Sequence, residues 1–299
     1  MLFRSVDARR ISHAMLTVRL AMPLQPSDDT RSMPITHPGW GGYSPASGIN
    51  DLMNLSFRCG HATSRLQWMR RPKNIAVIDV AIPARCAELI VTFDVRAVSR
   101  PGEFDGIGGT STPTQGHLSW SEVTLYPLGV DASALRVAAA ITLPEQWVFS
   151  TALRPKQQSS TKVEFEAVTL AELDDSPIMM GRHRHVIDLT PPGAGERHLL
   201  AIFSENEGSG PSADVVNVLS RIVEQQLALF GPAPYDHYQF LVLEQKDSII
   251  TGLGQLRSND IRIPADAWSD ASLFPQVATL LAHEFAYMEI GRASCRERV

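Results

Sequence analysis

The stretch Leu280-Leu281-Ala282-His283-Glu284-Phe285-Ala286-Tyr287 orders the reading of the whole chain. An apolar run arriving at His-Glu has the pattern of a helix that presents a metal ligand and a general base. Val277, Leu281 and Phe285 recur every four residues and predict the core face of a helix running from about Phe274, with Pro275 in its first turn, to Tyr287. His283 lies about 160° around the helix from Phe285 and so points away from that core. Histidines at i and i+4 on such a face set two imidazoles one turn apart, as tetrahedral zinc requires. A glutamate between them holds a zinc-bound water and takes its proton. Here the second position is Tyr287, and no later helix is present to bring a third ligand. Taken alone, a His-Glu pair on a helix is more often a solvated surface feature than a metal site.

The two ends of the chain are read separately. Residues 289–299 show no apolar period, turn signal or cap and resemble translated sequencing adapter, and residues 1–5 resemble the opposite adapter. Both are set aside, which gives a β-rich domain over 6–195 and the start of a second domain over 196–288. On this reading the compartment stays open between periplasm and cytoplasm.

Composition is that of a globular protein, with 44% hydrophobic and 20% charged residues, and 299 residues predict about two domains. A net charge of -5 argues against a nucleic-acid partner, because phosphate backbones call for a basic patch. No apolar run approaches the ~18 residues of a membrane span. Apart from Cys295, the cysteines are Cys59 and Cys86; they allow one disulfide, but the preferred reading is two free structural thiols.

From Ile11 to about Leu170 short β segments alternate with Gly, Pro and Ser. Ala14–Leu20, Asn74–Val80, Glu88–Val95, Glu122–Pro127, Leu135–Ile141 and Lys162–Val168 read as strands. After His198 the period changes. His198–Phe203 reads as a buried strand, Ser212 as an N-cap, Val215 to Phe230 as a helix ending at Gly231, and Tyr238–Leu243 as a strand. Ile261–Pro264 reads as an edge strand, because proline is excluded from central ones. The fold class is therefore α+β, a saddle- or sandwich-like β domain followed by the opening of an α/β domain.

Other features read as structural. Gly106-Ile107-Gly108-Gly109 lacks the helix and lysine of a phosphate loop, and Gly208-Ser209-Gly210 lacks the strand of a nucleophile elbow. His183-Arg184-His185 reads as an exposed basic turn, and Asp174-Asp175-Ser176-Pro177 as a polar turn before proline. Trp40, Trp68, Trp120 and Trp147 read as core or sheet-edge packing.

With these residues in place, the chain resembles the glycyl aminopeptidase family of zinc metallopeptidases. The resemblance is carried by Leu281–Ala286, by Leu143–Leu153, by Leu173–Ile178 with Gly181, and by Leu229–Tyr235 with Tyr238 and Phe240. It implies a saddle-like N-terminal domain, a thermolysin-like catalytic domain and removal of N-terminal residues, glycine and alanine preferred, from peptide substrates. It also implies zinc in the intact parent, with His283 as the first ligand and Glu284 as the general base. Two departures stand out. Tyr287 replaces the second ligand, one base change away from a histidine codon. Thr251-Gly252-Leu253-Gly254-Gln255 stands where the family usually has Gly-Gly-Leu-Glu-His, whose glutamate would receive the substrate's amino group. Two readings follow: a peptidase whose chain is inactive as written, or a non-catalytic, peptide-binding or scaffolding relative that has lost its zinc.

Overall fold

The computed structural model describes residues 1–36, 52–97, 110–207, 210–231, 235–246 and 248–296, with side chains described as far as residue 286. Trp40, the Gly106–Gly109 loop, Gly208, Ser209, the Tyr287 side chain and the side chains of 289–299 lie outside that description.

The first part of the chain is built from three open sheets. The largest runs in the order Pro155–Gln158, Lys162–Phe165, Arg136–Thr142, Leu2–Asp7, Met15–Pro23, Glu88–Arg96 and Leu52–Cys59. In Met15–Pro23 the alternation expected from the sequence is realised: Leu16, Val18 and Leu20 point inward and Thr17 and Arg19 outward. A second sheet joins Tyr126–Pro127, Arg31–Thr36, Asn74–Ile82 and Trp68–Arg71. A third joins Val148–Ser150, Ile178–Gly181, Gln115–Leu118 and Thr110–Ser111. All three contribute to one hydrophobic core, which includes Val18, Phe93, Ile35, Ile78, Leu118 and Ile178. Trp120 and Trp147 are buried in it, whereas Trp68 stays partly exposed and packs on Phe57 with ring centroids 6.0 Å apart.

The second part is a five-stranded mixed sheet in the order His183–Asp188, Arg197–Ser204, His237–Gln245, Ser258–Pro264 and Thr251–Gly254. Its three middle strands are parallel and both edges antiparallel. The helix Ala213–Phe230 makes the crossover that parallel strands require. Ser212 caps it by accepting from the Val215 N–H at 3.4 Å, and Gly231 ends it at φ +82°, as read from the sequence. The helix Phe274–Arg296 closes the described chain.

The central strands are buried on both faces. Leu200, Ile202, Phe240, Val242, Ile261 and Ile263 meet the two helices. Ala201, Phe203, Leu241 and Leu243 pack on Met179 of the first part. Two-sided burial explains why these strands read as continuous apolar runs.

The structure corrects several expectations. Ser258–Pro264 is a central strand, because Pro264 is its last residue, opposite Gln245, where a ladder donor is dispensable. His183–Asp188 is an exposed edge strand rather than a turn, so the second sheet begins near residue 183 instead of 196. Cys59 and Cys86 are joined by a disulfide, with Cα atoms 5.7 Å apart, rather than free; the intervening chain passes through Trp68–Arg71 and Asn74–Ile82, and the chain then returns as Glu88–Arg96 to pair with Leu52–Cys59, Cys59 opposite Leu89, which no cysteine spacing reveals.

Residues 2–5, set aside above as foreign sequence, belong to the strand Leu2–Asp7. That strand sits inside the largest sheet, parallel to Arg136–Thr142 and antiparallel to Met15–Pro23. Arg4 is 1% exposed and donates from Nη1 to the Thr124 hydroxyl at 2.5 Å. Burial lowers its pKa to about 10, while the nearby Asp174 carboxylate opposes that shift. Deleting residues 1–5 is therefore expected to lower the unfolding free energy by at least ~2 kcal/mol, read as a lower urea midpoint, from the loss of buried Leu2 and of the interior ladder. Thiol titration in denaturant is expected to find one free thiol per chain before reduction and all 3 afterwards. Cys59→Ser with Cys86→Ser should cost about 3 kcal/mol in the same unfolding assay.

Candidate active site

The site is built where the last helix meets the edge strand Thr251–Gly254. Asp270 starts the approach: its Oδ1 accepts from the backbone N–H groups of Ser272 at 2.7 Å and Leu273 at 3.1 Å. The Ser272 hydroxyl, which donates to the same oxygen at 2.6 Å, and then those two N–H groups hold its carboxyl below the usual range. The helix then lays Val277, Leu281 and Phe285 into the core at 0%, 3% and 2% exposure, the face expected from their four-residue spacing. The Phe285 ring meets Tyr238 at 4.8 Å, Phe240 at 5.2 Å and His198 at 5.7 Å between centroids, which pins the rotation of the helix. Across from it, the Gln226 side chain of the crossover helix donates to the Ala282 carbonyl at 2.7 Å.

With Phe285 fixed, the neighbouring positions are fixed too. His283 is exposed, away from the core as the helical angle requires. Glu284 is 8% exposed and its carboxylate lies near the backbone N–H of Gly254. Burial raises its pKa, while that N–H and the His283 charge oppose the rise. Gly252 permits the close approach: a Cβ there would sit 3.1 Å from Ile261 Cγ1 and 3.2 Å from Leu280 Cδ2. Gly254 offers no side chain, and Gln255 is buried, so the edge strand presents a backbone rather than a carboxylate to the site.

Behind the sheet lies a group of charges that the sequence reading missed. His117 Nε2 meets Asp260 Oδ2 at 2.8 Å, and Arg262 Nη2 reaches His117 Nδ1 at 3.3 Å and Asp260 at 3.5 Å. Burial alone would raise the Asp260 carboxyl, but His117 and Arg262 override it and hold the pKa at about 2. Gln115 Nε2 donates to the Glu244 carbonyl at 2.6 Å, and Trp268 Nε1 to the Glu244 carboxylate at 2.5 Å. These contacts join the first part to the second across 145 residues of sequence, in the case of Arg262 and His117.

Asp174 and Asp175 are also more than a polar turn. Both are partly buried at the junction, where loss of hydration raises Asp174 to about 6 against the pull of Arg4. It raises Asp175 to about 7 against the Leu256 N–H and Arg257.

The sequence matches the Peptidase M61 N-terminal domain over residues 4–182, and the chain belongs to that family. Among solved structures, it is similar to an aminopeptidase N family protein from Idiomarina loihiensis, with a TM-score of 0.76 and 16% identity, over 96% of this chain and 47% of that one. It is also similar to an M1 zinc metallopeptidase from Deinococcus radiodurans, with a TM-score of 0.52 and 12% identity, over 96% of this chain and 62% of that one. A mutant M1 zinc metallopeptidase from the same organism, bound to a Tyr-Ser-Ala substrate, matches with a TM-score of 0.51 and 11% identity, over 95% of this chain and 63% of that one. At these identities the likeness is one of fold. The chain spans between about half and two thirds of the length of these structures. No curated protein sequence matches it.

The junction carboxyls set a pH dependence. An unfolded aspartate ionises near 4, whereas folded Asp174 and Asp175 keep their protons to about 6 and 7. The folded state therefore binds more protons between those values, and stability from these groups falls as pH rises from about 4 through 7. Asp260 has the opposite sign: its contribution is present above pH 4 and is lost as pH falls through about 2. Urea midpoints measured from pH 4 to pH 8 should decline, and Asp175→Asn should flatten the decline and gain about 1 kcal/mol at pH 8.

Proposed function

We propose that this chain is the N-terminal domain and the opening of a thermolysin-like catalytic domain of a zinc metallopeptidase of aminopeptidase type. The intact parent would hydrolyse N-terminal residues of peptides through a zinc-bound water. The chain as it stands would be inactive. The observation that carries the reading is the paired exposure of two adjacent residues. On a helix locked by Phe285, Glu284 is turned in against the edge strand and His283 is turned out to solvent.

Whether the residues present can hold the metal has been tested on the donor set. Among the described residues no three His, Cys, Asp or Glu side chains come together as a ligand group. His283 has no described second histidine one turn on, since position 287 is tyrosine. The set does not complete a zinc site, and no catalytic step is assigned through the metal in this chain. What the chain supplies is a positioned carboxylate, raised in pKa by burial, as a general base requires.

A second reading has its own support. Gly254 brings no side chain to the edge strand and Gln255 turns inward, so nothing there offers a negative charge to a peptide's amino end. This favours a relative that binds peptide or a partner without cleaving it.

Zinc content separates the two. After dialysis the unaltered chain is expected to hold well below one zinc per molecule and to release no amino acid from Gly- or Ala-initiated peptides. Tyr287→His is expected to raise zinc affinity at least tenfold, by creating the i, i+4 pair, and His283→Ala added to it should abolish the gain. Stoichiometric zinc on the unaltered chain, or turnover abolished by Glu284→Gln, would overturn the inactive assignment. Peptide binding without metal, with no gain from Tyr287→His, would favour the second reading.

A further inference from the structure

The short helix Leu170–Asp174 is fixed at both ends. Thr169 and Glu172 form a reciprocal capping box, with the Thr169 N–H 2.9 Å from Glu172 Oε2 and the Glu172 N–H 3.1 Å from Thr169 Oγ1. Beyond its last turn, the Asp175 N–H bonds the Ala171 carbonyl at 3.1 Å, and the Ser176 hydroxyl bonds the Glu172 carbonyl at 2.7 Å. Asp175 is thereby aimed out of the first part at a rigid angle. Its Oδ2 accepts the backbone N–H of Leu256, in the turn that joins Thr251–Gly254 to Ser258–Pro264. Beside it, Arg257 Nη2 lies 3.3 Å from Glu172 Oε1.

The Leu256 side chain is 47% exposed, so packing does not hold this position. Two residues earlier ends the edge strand Thr251–Gly254, whose Gly252 lies so close to the last helix that a Cβ there would sit 3.2 Å from Leu280 Cδ2. A short run of backbone thus links a carboxylate of the first part to the strand beside the candidate base. The far half of the same turn is held separately, by the Gln239 N–H on the Arg257 carbonyl at 3.0 Å and by the Tyr238 hydroxyl on the Ser258 carbonyl at 2.9 Å. Those bonds come from within the sheet. Asp175 reaches the near half from outside it.

We propose that Asp175 is a positioning residue: from the N-terminal domain it clasps the Leu256 amide and so sets the edge strand that packs against the helix carrying Glu284. Its functional meaning rests on the assignment of Glu284 above; the clasp itself does not. The ionisable groups facing Asp175 are Arg257 from the turn, Tyr238 from the strand His237–Gln245 and Asp174 beside it, with Arg4 acting through Asp174.

The test is amide hydrogen exchange on the full chain, resolved at Leu256 and at Gln255, whose N–H bonds the Ser258 carbonyl at 2.8 Å in the same turn. In Asp175→Ala both amides are expected to exchange at least tenfold faster, beyond any change in the strand Arg136–Thr142, which reports global stability. Asp175→Asn keeps an accepting oxygen and is expected to restore most of the protection. Unchanged exchange in Asp175→Ala, or an equal loss in all strands without rescue by Asn, would overturn the clasp. Should Asp175→Ala not fold, the Leu256 amide shift decides in the unaltered chain. It should follow a single titration that Asp175→Asn removes, and a shift indifferent to pH would overturn the proposal. None of these measurements involves zinc, so failure of the clasp and failure of the peptidase assignment are read independently.

Discussion

The arrangement depends on strands that have no solvent side. Arg197–Ser204 and His237–Gln245 send one row of side chains to the helices and the other to Met179 of the first part. A sheet buried on both faces can neither slip by one residue nor turn over, because either move drives apolar side chains into the wrong layer or into water. The crossover helix and the final helix therefore inherit a fixed floor. Phe285 is the point at which that floor meets the candidate site, and its contacts with Tyr238, Phe240 and His198 decide which way His283 and Glu284 face.

Polar contacts at the junction supply what the apolar layer cannot. Dispersion and hydrophobic burial hold the two parts together without specifying their register. The His117–Asp260–Arg262 group does specify it, since each member is buried and would be costly without the others. Glu244, held by Gln115 at its carbonyl and by Trp268 at its carboxylate, makes a second fixed point on the neighbouring strand. The N-terminal unit is thus structurally continuous with the sheet that carries the helix, and its influence reaches the edge strand beside Glu284.

Much of this was legible in the chain. The alternation in Met15–Pro23, the four-residue spacing of Val277, Leu281 and Phe285, and the Ser212 and Gly231 boundaries all read correctly, because each depends on neighbours within a few residues. The outward setting of His283 followed from helical geometry alone. The errors share a cause. Pro264 reads as the mark of an edge but terminates a central strand, and Cys59 and Cys86 read as free thiols but are brought together by the sheet. Asp174-Asp175 reads as a polar turn, but Asp174 turns in to Thr124 and Asp175 reaches Leu256 of the second part. In each case the deciding partner lies far away in sequence.

By itself, then, the sequence determined much of the local order of this protein: the alternation in Met15–Pro23, the bounds of the crossover helix, which face of the last helix is apolar, and that a histidine and a glutamate stand side by side on it. It also determined the family resemblance, since that rests on the order of short motifs. Tertiary structure alone decided that Glu284 is buried against Gly254, that Asp260 is held ionised by His117 and Arg262, and that Asp175 reaches the Leu256 amide. The physical reason is that hydrophobic period and capping are short-range properties of a chain. Desolvation and charge pairing depend on what packs alongside, and no window of sequence contains both partners.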